Sequence, residues 1–323
     1  MIIKSSLIGE NPLVSVVVCS YNRVDTIGQT LDSILWQERN FLIEVIVGDD
    51  SSKDGTREIL QNYQDKYPTI FVLVFQEKNL GIGCNWASIM KLARGKYVAF
   101  CDDDDYWHCK DKLQKQAQIL DENERYGLVH TNYCILDVNN GKTKEKKANI
   151  NNTLDLTQAL YRGEYLLLTS SVMLRKELID KYVDLDDYLK YDFPIQDWNT
   201  WILISKHTNF YHMDISTVTY RISNNSMSRL NDYDSVISKY DKEKRMYKYL
   251  CDKFPLDFPY IESEYDDYVY SVLLNLAFKQ KDYRKANQFG KKIGNKSVKV
   301  VCSQNRILFW IFLFLKQVRN LKR

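Results

Sequence analysis

The sequence is poor in several things, and each shortage excludes something. Seven cysteines stand in 323 residues, at 19, 84, 101, 109, 134, 251 and 302, with no CxxC spacing and an odd count. This argues against a disulfide framework or a thiolate zinc site and for a reducing, cytoplasmic setting. Twelve Gly and five Pro in a mixed sequence exclude collagen-like and low-complexity chains. Charge of one sign is also scarce. Forty-five Lys+Arg against 42 Asp+Glu leave a net +3, too little for nucleic-acid binding through charge alone. Long hydrophobic runs are missing. The longest, Ile307 to Leu315, has nine residues, where a bilayer span needs about 20. The opening MIIKSSLIGENPLVS lacks the apolar core of a signal peptide.

What the chain does have is aromatic: 23 Tyr, 13 Phe and 6 Trp. Flat amphipathic rings suit a polar-ligand cleft, a membrane interface or an ordinary core. The length suits one large domain with a smaller appendage.

Strand and helix patterns alternate about four times in the first 105 residues. Leu13–Cys19, Ile43–Val47, Ile70–Phe75 and Tyr97–Cys101 are β-branched or aromatic runs and read as buried strands. Between them, helices are expected with apolar stripes at Ile27, Leu31, Ile34 and Leu35, at Ile59, Leu60 and Tyr63, and over about 84–93. Asp25 or Thr26 is the expected cap of the first helix. The alternation predicts a parallel α/β sheet with its ligand beyond the carboxyl ends of the strands. Those ends carry Tyr21-Asn22, Asp49-Asp50, Asn79-Leu80-Gly81 and Asp102–Asp105.

Further on, Asp111–Leu120 reads as a helix and the charged, Asn-rich stretch 141–152 as an exposed loop. From about 230 the pattern is helical, with an antiparallel pair joined at Lys279–Asp282.

The run Asp102-Asp103-Asp104-Asp105 is the most informative. Four adjacent carboxylates repel one another unless they are solvated or neutralised. Extended backbone alternates its side chains, which gives Asp102 and Asp104 a shared direction and turns Asp103 away. Mg²⁺ or Mn²⁺, held by one or two carboxylates plus substrate phosphates, would relieve the repulsion. Read alone, the run also suits a solvated acidic turn.

Four segments in order carry a resemblance: VSVVVCSYN at 14–22, VGDDSSKDGT at 47–56, NLG at 79–81 with Asn85-Trp86, and GKYVAFCDDDDYW at 95–107. Together they resemble the family 2 glycosyltransferases of GT-A fold, over roughly residues 12–229. The resemblance implies a three-layer α/β/α sandwich with a mostly parallel sheet, plus a helical C-terminal extension. Residues 1–229 would form the transferase domain, with a nucleotide-binding half at about 12–107 and an acceptor half at about 108–229. Residues 230–323 would form the extension.

The family's activity would be hexosyl transfer with inversion, from a nucleotide-sugar (a UDP-sugar foremost) to a glycan or lipid-linked acceptor in cell-surface polysaccharide synthesis. By the same resemblance Cys19, Ser20 and Tyr21 would line the nucleobase and ribose pocket, and Asp50 would accept from a uracil-like base. Asn85, Asp102 and Asp103 would fall among the nucleotide-sugar contacts, and Asp102 and Asp104 would hold the metal as a DxD motif. Asp197, in Gln196-Asp197-Trp198, would be the general base, although a plain helix-start acid reads the same way. Tyr21, Tyr106, Trp107, Trp198 and Trp201 are expected at or beside the cleft. Two departures stand out: Ser223 where a His is common, and Trp86 where many relatives carry Arg.

A non-catalytic nucleotide- or glycan-binding module is the alternative, and its mark would be a lost DxD motif or base. The aromatic block 307–315, flanked by Arg306, Lys316, Arg319, Lys322 and Arg323, reads either as an anchor to an anionic inner leaflet or as a helix packed on the protein.

Overall fold

The computed structural model describes residues 2–4, 11–147, 156–161, 167–223, 232–253 and 262–293. The chain divides into two compact units, Met1–Asn224 and Asn225–Arg323. The boundary anticipated after residue 229 and the terminal aromatic block lie outside the described residues.

The first unit runs β1 (Ile2–Lys4), β2 (Val14–Ser20), α1 (Ile27–Leu35), β3 (Ile43–Asp49), α2 (Thr56–Lys66), β4 (Phe71–Phe75), α3 (Ile82–Met90) and β5 (Tyr97–Phe100). It continues through β6 (Tyr106–Trp107), α4 (Lys112–Glu122), β7 (Tyr126–Asp137), β8 (Lys142–Lys146), α5 (Leu156–Tyr161) and β9 (Met173–Arg175). It ends with α6 (Lys176–Tyr182), α7 (Leu185–Tyr191), α8 (Asp197–Ser205) and β10 (Asn209–Ile222). Its sheet has the order β1-β4-β3-β2-β5-β9-β7-β10-β6, with β8 on β7.

The centre, β4-β3-β2-β5, is parallel. Every residue of β3 is buried, and all but Cys19 in β2. Strands covered on both faces need continuous apolar runs rather than alternation. Ile27, Leu31 and Ile34 of α1 join Val16, Val45 and Tyr97 in one core. The chain leaves β2 through β3 and β4 on one side and returns to β5 on the other. The β2–β5 pair is therefore the switch point where open α/β sheets bind ligands.

Beyond β5 the sheet changes character. β9 pairs antiparallel with both β5 and β7, whereas β7 and β10 run parallel with register shifts between Met213 and Val218. β6 pairs antiparallel with β10, Trp107 opposite Val218. Residues 101–105 thus cross from the end of β5 to the far side of the sheet.

Two local expectations change. Residues 142–146 form a strand, fully exposed, that pairs with β7. Without an apolar face its sequence has no alternation to read, and backbone bonding alone recruits it. Thr26 flanks α1 but makes no side-chain cap; its hydroxyl instead donates to the Asp103 carbonyl at 2.9 Å.

The second unit comprises α9 (Tyr233–Lys253), α10 (Glu262–Lys279) and α11 (Tyr283–Gly290). The Asp282 carboxylate caps α11 by accepting the Lys285 N–H. Leu273, Leu274, Ala277, Ala286 and Phe289 fill the core of the helix pair. Among the described residues no helix is long and apolar enough to cross a membrane.

Gly48 lets α3 approach β3. A Cβ there would stand 2.6 Å from Asn85 Oδ1 and 2.7 Å from Ile89 Cγ2. Gly48→Ala is expected to cost about 1–3 kcal/mol through this overpacking. The urea midpoint should fall with an unchanged slope.

Candidate active site

The site is built where the parallel strands end. β2 closes in Cys19-Ser20-Tyr21, and the chain then turns through Asn22 at φ 52. That turn is tied to the β3 loop: Asn22 N–H donates to Ser52 Oγ at 2.8 Å, and Lys53 N–H donates to Asn22 Oδ1 at 2.9 Å. The Tyr21 ring is 44% exposed, while its N–H donates to Asp103 Oδ2 at 3.0 Å. Ser20 is buried, and its carbonyl accepts the Asp50 N–H. Burial pushes the Cys19 thiol pKa well up, reinforced by Asp102, Asp103 and Asp50, so acids from the ends of β3 and β5 both lie near it.

At the end of β3, Asp49 pairs with Arg57 at 2.5 Å. Asp50 is buried and accepts N–H bonds from Leu80 at 2.7 Å and Gly81 at 2.9 Å. Burial raises its pKa, and these two bonds work in the opposite direction. Asp50 thus fastens the Asn79-Leu80-Gly81 loop to the sheet. A contact to a base would have to use the lone pairs left on the same oxygens. Asn85 is 1% exposed. Its amide donates to the Gly48 carbonyl at 2.7 Å and its oxygen accepts from Gln76 Nε2 at 3.1 Å, so its side chain is engaged in joining α3 to β3.

The acid run after β5 alternates in burial. Asp103 and Asp105 are 9% and 0% exposed, whereas Asp102 and Asp104 are half-buried. Each buried acid has partners. Asp103 accepts from Tyr21 N–H and from Arg23 Nε at 3.1 Å. Asp105 accepts from Ser170 Oγ at 2.6 Å and from Arg221 N–H at 3.2 Å. The backbone is held too, by Thr30 Oγ1 on the Asp105 carbonyl at 2.6 Å and Arg221 Nη1 on the Asp104 carbonyl at 2.5 Å. Asp104 lies 3.4 Å from Arg23 Nη2. The Asp102 carboxylate makes no hydrogen bond or ion pair among the described residues.

This cluster carries more negative charge than its two arginines offset. Burial first, and then Asp105, Asp104, Asp197 and Asp103, push Asp102 well above the carboxylate range. Burial raises Asp103 to about 7, against the pull of Arg23, and Asp105 to about 8, against the Ser170 bond.

Asp197 opens α8 and reaches this cluster from the other half of the unit. Thr169 Oγ1 donates to its Oδ2 and Trp198 N–H to its Oδ1. Two of the expected cleft aromatics are core residues instead. Trp107 is 1% exposed and donates to the Ser170 carbonyl, and Trp201 is 3% exposed and packs edge-on against Phe100. Period-2 and helical burial place these rings inward, where no ligand can stack on them. Arg23 was missed by sequence reasoning; its one signal was a cation just beyond a strand end surrounded by acids.

Among the described residues no group of three or more His, Cys, Asp or Glu could hold a metal. A Mg²⁺ or Mn²⁺ site completed by substrate phosphates needs only one or two carboxylates. The open pair Asp102 and Asp104, backed by unneutralised charge, fits such a site.

A curled α/β sheet with this strand order and an acidic loop at its switch point is the GT-A architecture. Residues 15–183 match the family described as Glycosyl transferase family 2, and the chain belongs to that family. It is 35% identical over 218 residues to TuaG of Bacillus subtilis, provisionally named a teichuronic acid biosynthesis glycosyltransferase, covering 67% of this chain and 82% of that one. An uncharacterized protein of Mycobacterium tuberculosis is 39% identical over 107 residues, which span 33% of this chain and only 31% of the relative.

Solved structures share the fold. S. aureus TarS in complex with UDP-GlcNAc superposes with a TM-score of 0.57 at 20% identity, covering 93% and 86% of the two chains. The mannosyltransferase PcManGT of Pyrobaculum calidifontis, with GDP-Man and Mn²⁺, gives 0.51 at 17% identity over 73% and 65%.

The raised acids make stability depend on pH. Unfolding returns Asp103 and Asp105 to ordinary values near 3.8 from about 7 and about 8. The folded state therefore binds more protons between these limits, and stability falls as pH rises through them. In EDTA the Tm is expected to drop by roughly 2–5 °C between pH about 5 and about 8.5. Asp105→Asn should flatten that slope in a thermal-shift series.

Proposed function

We propose that the protein moves a hexosyl group from a nucleotide-sugar, a UDP-sugar foremost, to a hydroxyl of a glycan or lipid-linked acceptor, with inversion, in cell-surface polysaccharide synthesis. One observation carries the reading: the half-buried Asp102, in the acid run at the sheet's switch point, lies close enough to Asp197 for the two carboxylates to repel. The TuaG name supports polysaccharide synthesis. The UDP-GlcNAc of TarS supports a uridine donor, and the Mn²⁺ of PcManGT supports metal use.

The nucleotide lies along Cys19-Ser20-Tyr21, with the exposed Tyr21 ring available to stack on the base and the Asp50-tied loop bordering it. Asp102 and Asp104 would hold Mg²⁺ or Mn²⁺, which supplies Lewis-acid neutralisation of the departing diphosphate. Asp103, held by Tyr21 N–H and Arg23, fixes the loop that presents them. Asp197 accepts the proton of the acceptor hydroxyl. That oxygen forms its bond to the anomeric carbon from the face opposite the diphosphate, whose bond breaks with the electron pair leaving on oxygen. A single displacement inverts the centre and uses one protein carboxylate as base.

The test follows nucleoside diphosphate release from UDP-, GDP- and dTDP-sugars with Mn²⁺ and a lipid-linked acceptor pool. Asp197→Asn is expected to lose about 10²–10⁴-fold in rate while keeping the thermal stabilisation by UDP and Mn²⁺. Asp104→Ala should lose both. Silence with every donor would reject the reading.

A lipid-linked acceptor places the work at a membrane surface, and the basic-flanked block 306–323 supports contact with an anionic inner leaflet. Removing residues 305–323 is expected to shift the protein from the membrane to the soluble fraction. Unchanged partition would sink the anchor.

A further inference from the structure

A tight turn, Thr169–Ser171, precedes β9. Its three residues are buried, at 6%, 0% and 0% exposure, although each carries a hydroxyl. Buried hydroxyls sit where they have partners; Ser171 Oγ donates to the Leu168 carbonyl at 2.7 Å, and the partners of the other two are the site's acids. Thr169 Oγ1 donates to Asp197 Oδ2. Ser170 Oγ donates to Asp105 Oδ2 at 2.6 Å and accepts the Asp102 N–H at 2.9 Å. One turn therefore grips the carboxylate at the acceptor and the acid run at the donor.

The turn is itself held from behind. Trp107 Nε1–H donates to the Ser170 carbonyl at 2.9 Å. Gln116 Nε2 donates to the carbonyls of Ser171 at 2.8 Å and Val129 at 3.2 Å. Gln116 has no freedom to flip. Its Oε1 accepts from the buried Lys112 Nζ at 2.8 Å, an acceptor-only role that forces its NH₂ toward the two carbonyls. Lys112 in turn rests over the Trp107 ring at 4.2 Å. Such a buried network, satisfied at each of these links, is stiff.

A stiff support matters here for an electrostatic reason. Asp197 and Asp102 repel each other, and left alone they would separate or protonate. Hydroxyl bonds to a carboxylate are among the stronger neutral–charged contacts, and two of them from adjacent residues fix the spacing. The geometry points to Thr169 as the positioning residue of Asp197 and to Ser170 as the positioning residue of the acid run, with one three-residue turn setting base against donor cradle. The assignment rests on Asp197 acting as the base.

Steady-state kinetics with the full chain test it. Thr169→Val removes the hydroxyl at nearly constant shape, and Thr169→Ser keeps it. Thr169→Val is expected to lower kcat for transfer about ten- to a hundredfold. Donor KM and the thermal stabilisation by UDP and Mn²⁺ should stay within about twofold of wild type, and Thr169→Ser should restore most of the loss. Ser170→Ala should show the opposite split, a raised donor KM and weaker thermal stabilisation by UDP and Mn²⁺. Should Thr169→Val fail to fold, Thr169→Ala and Thr169→Cys carry the same expectation.

A wild-type kcat in the hydroxyl-free variant, equal damage in Thr169→Val and Thr169→Ser, or a loss confined to donor KM would overturn the assignment. An inactive wild type would reject the functional reading. An active wild type with a neutral Thr169→Val would reject the turn alone.

Discussion

Excess negative charge at the end of β5 is the constraint around which the first unit is arranged. Four adjacent acids follow that strand, and neighbouring anions destabilise one another by on the order of several kcal/mol unless countered. The chain counters them unequally. Asp103 and Asp105 are turned inward and bonded by Tyr21, Arg23, Ser170 and Arg221. Asp102 and Asp104 are left half-open, with Arg23 3.4 Å from the Asp104 carboxylate and Arg221 on its carbonyl. A wholly solvated acidic turn would have no use for the buried partners. A wholly structural one would have neutralised all four acids. The mixed arrangement is what a site needs when its missing positive charge arrives with the ligand.

Topology explains why the partners come from so far apart in sequence. The strand-order reversal at β2 and β5 sets the end of the first parallel strand beside the acid run. That single adjacency lets Tyr21 and Arg23 reach Asp103. The short β6 then carries the chain onto β10, which delivers Arg221 to the same loop. The antiparallel insertion of β9 between β5 and β7 brings the Thr169–Ser171 turn under the acids from the other side. Each contact is local in space and remote in sequence, so no window of a few residues could disclose it.

The sequence was legible where burial writes a simple pattern. The β-branched runs of β2 and β3 and the stripe of Ile27, Leu31 and Ile34 were plain, as was the acid run that marks the end of β5. Legibility failed where a backbone or a single side chain decides. β8 has five exposed polar residues and leaves no period to detect. Thr26 looks like a helix cap, yet its hydroxyl donates to the Asp103 carbonyl and accepts no helix N–H, because tertiary structure sets its orientation. Trp107 and Trp201 look like cleft aromatics because they neighbour site residues, but Trp107 bonds to the Ser170 carbonyl and Trp201 packs on Phe100, which holds both rings in the core. Asn85 shows the same limit. Its place in a motif was visible, but not its bonds to Gly48 and Gln76.

The raised acids and the scaffold beneath them are two sides of one energetic arrangement. Holding Asp102 near Asp105, Asp104 and Asp197 destabilises the ligand-free fold, and a strained cluster persists only where its surroundings over-determine it. Here those surroundings are the buried strands β2, all but Cys19, and β3, and the network through Trp107, Gln116 and Lys112. Under the proposed reading, a divalent cation at these acids would neutralise them in the folded state alone, and so would return stability by linkage. The acids could not be relaxed to Asn or Ser without also removing the charge that would draw such a cation in. Destabilisation of the ligand-free cluster and affinity for a cation would therefore share one origin, and the apolar core must be large enough to carry it.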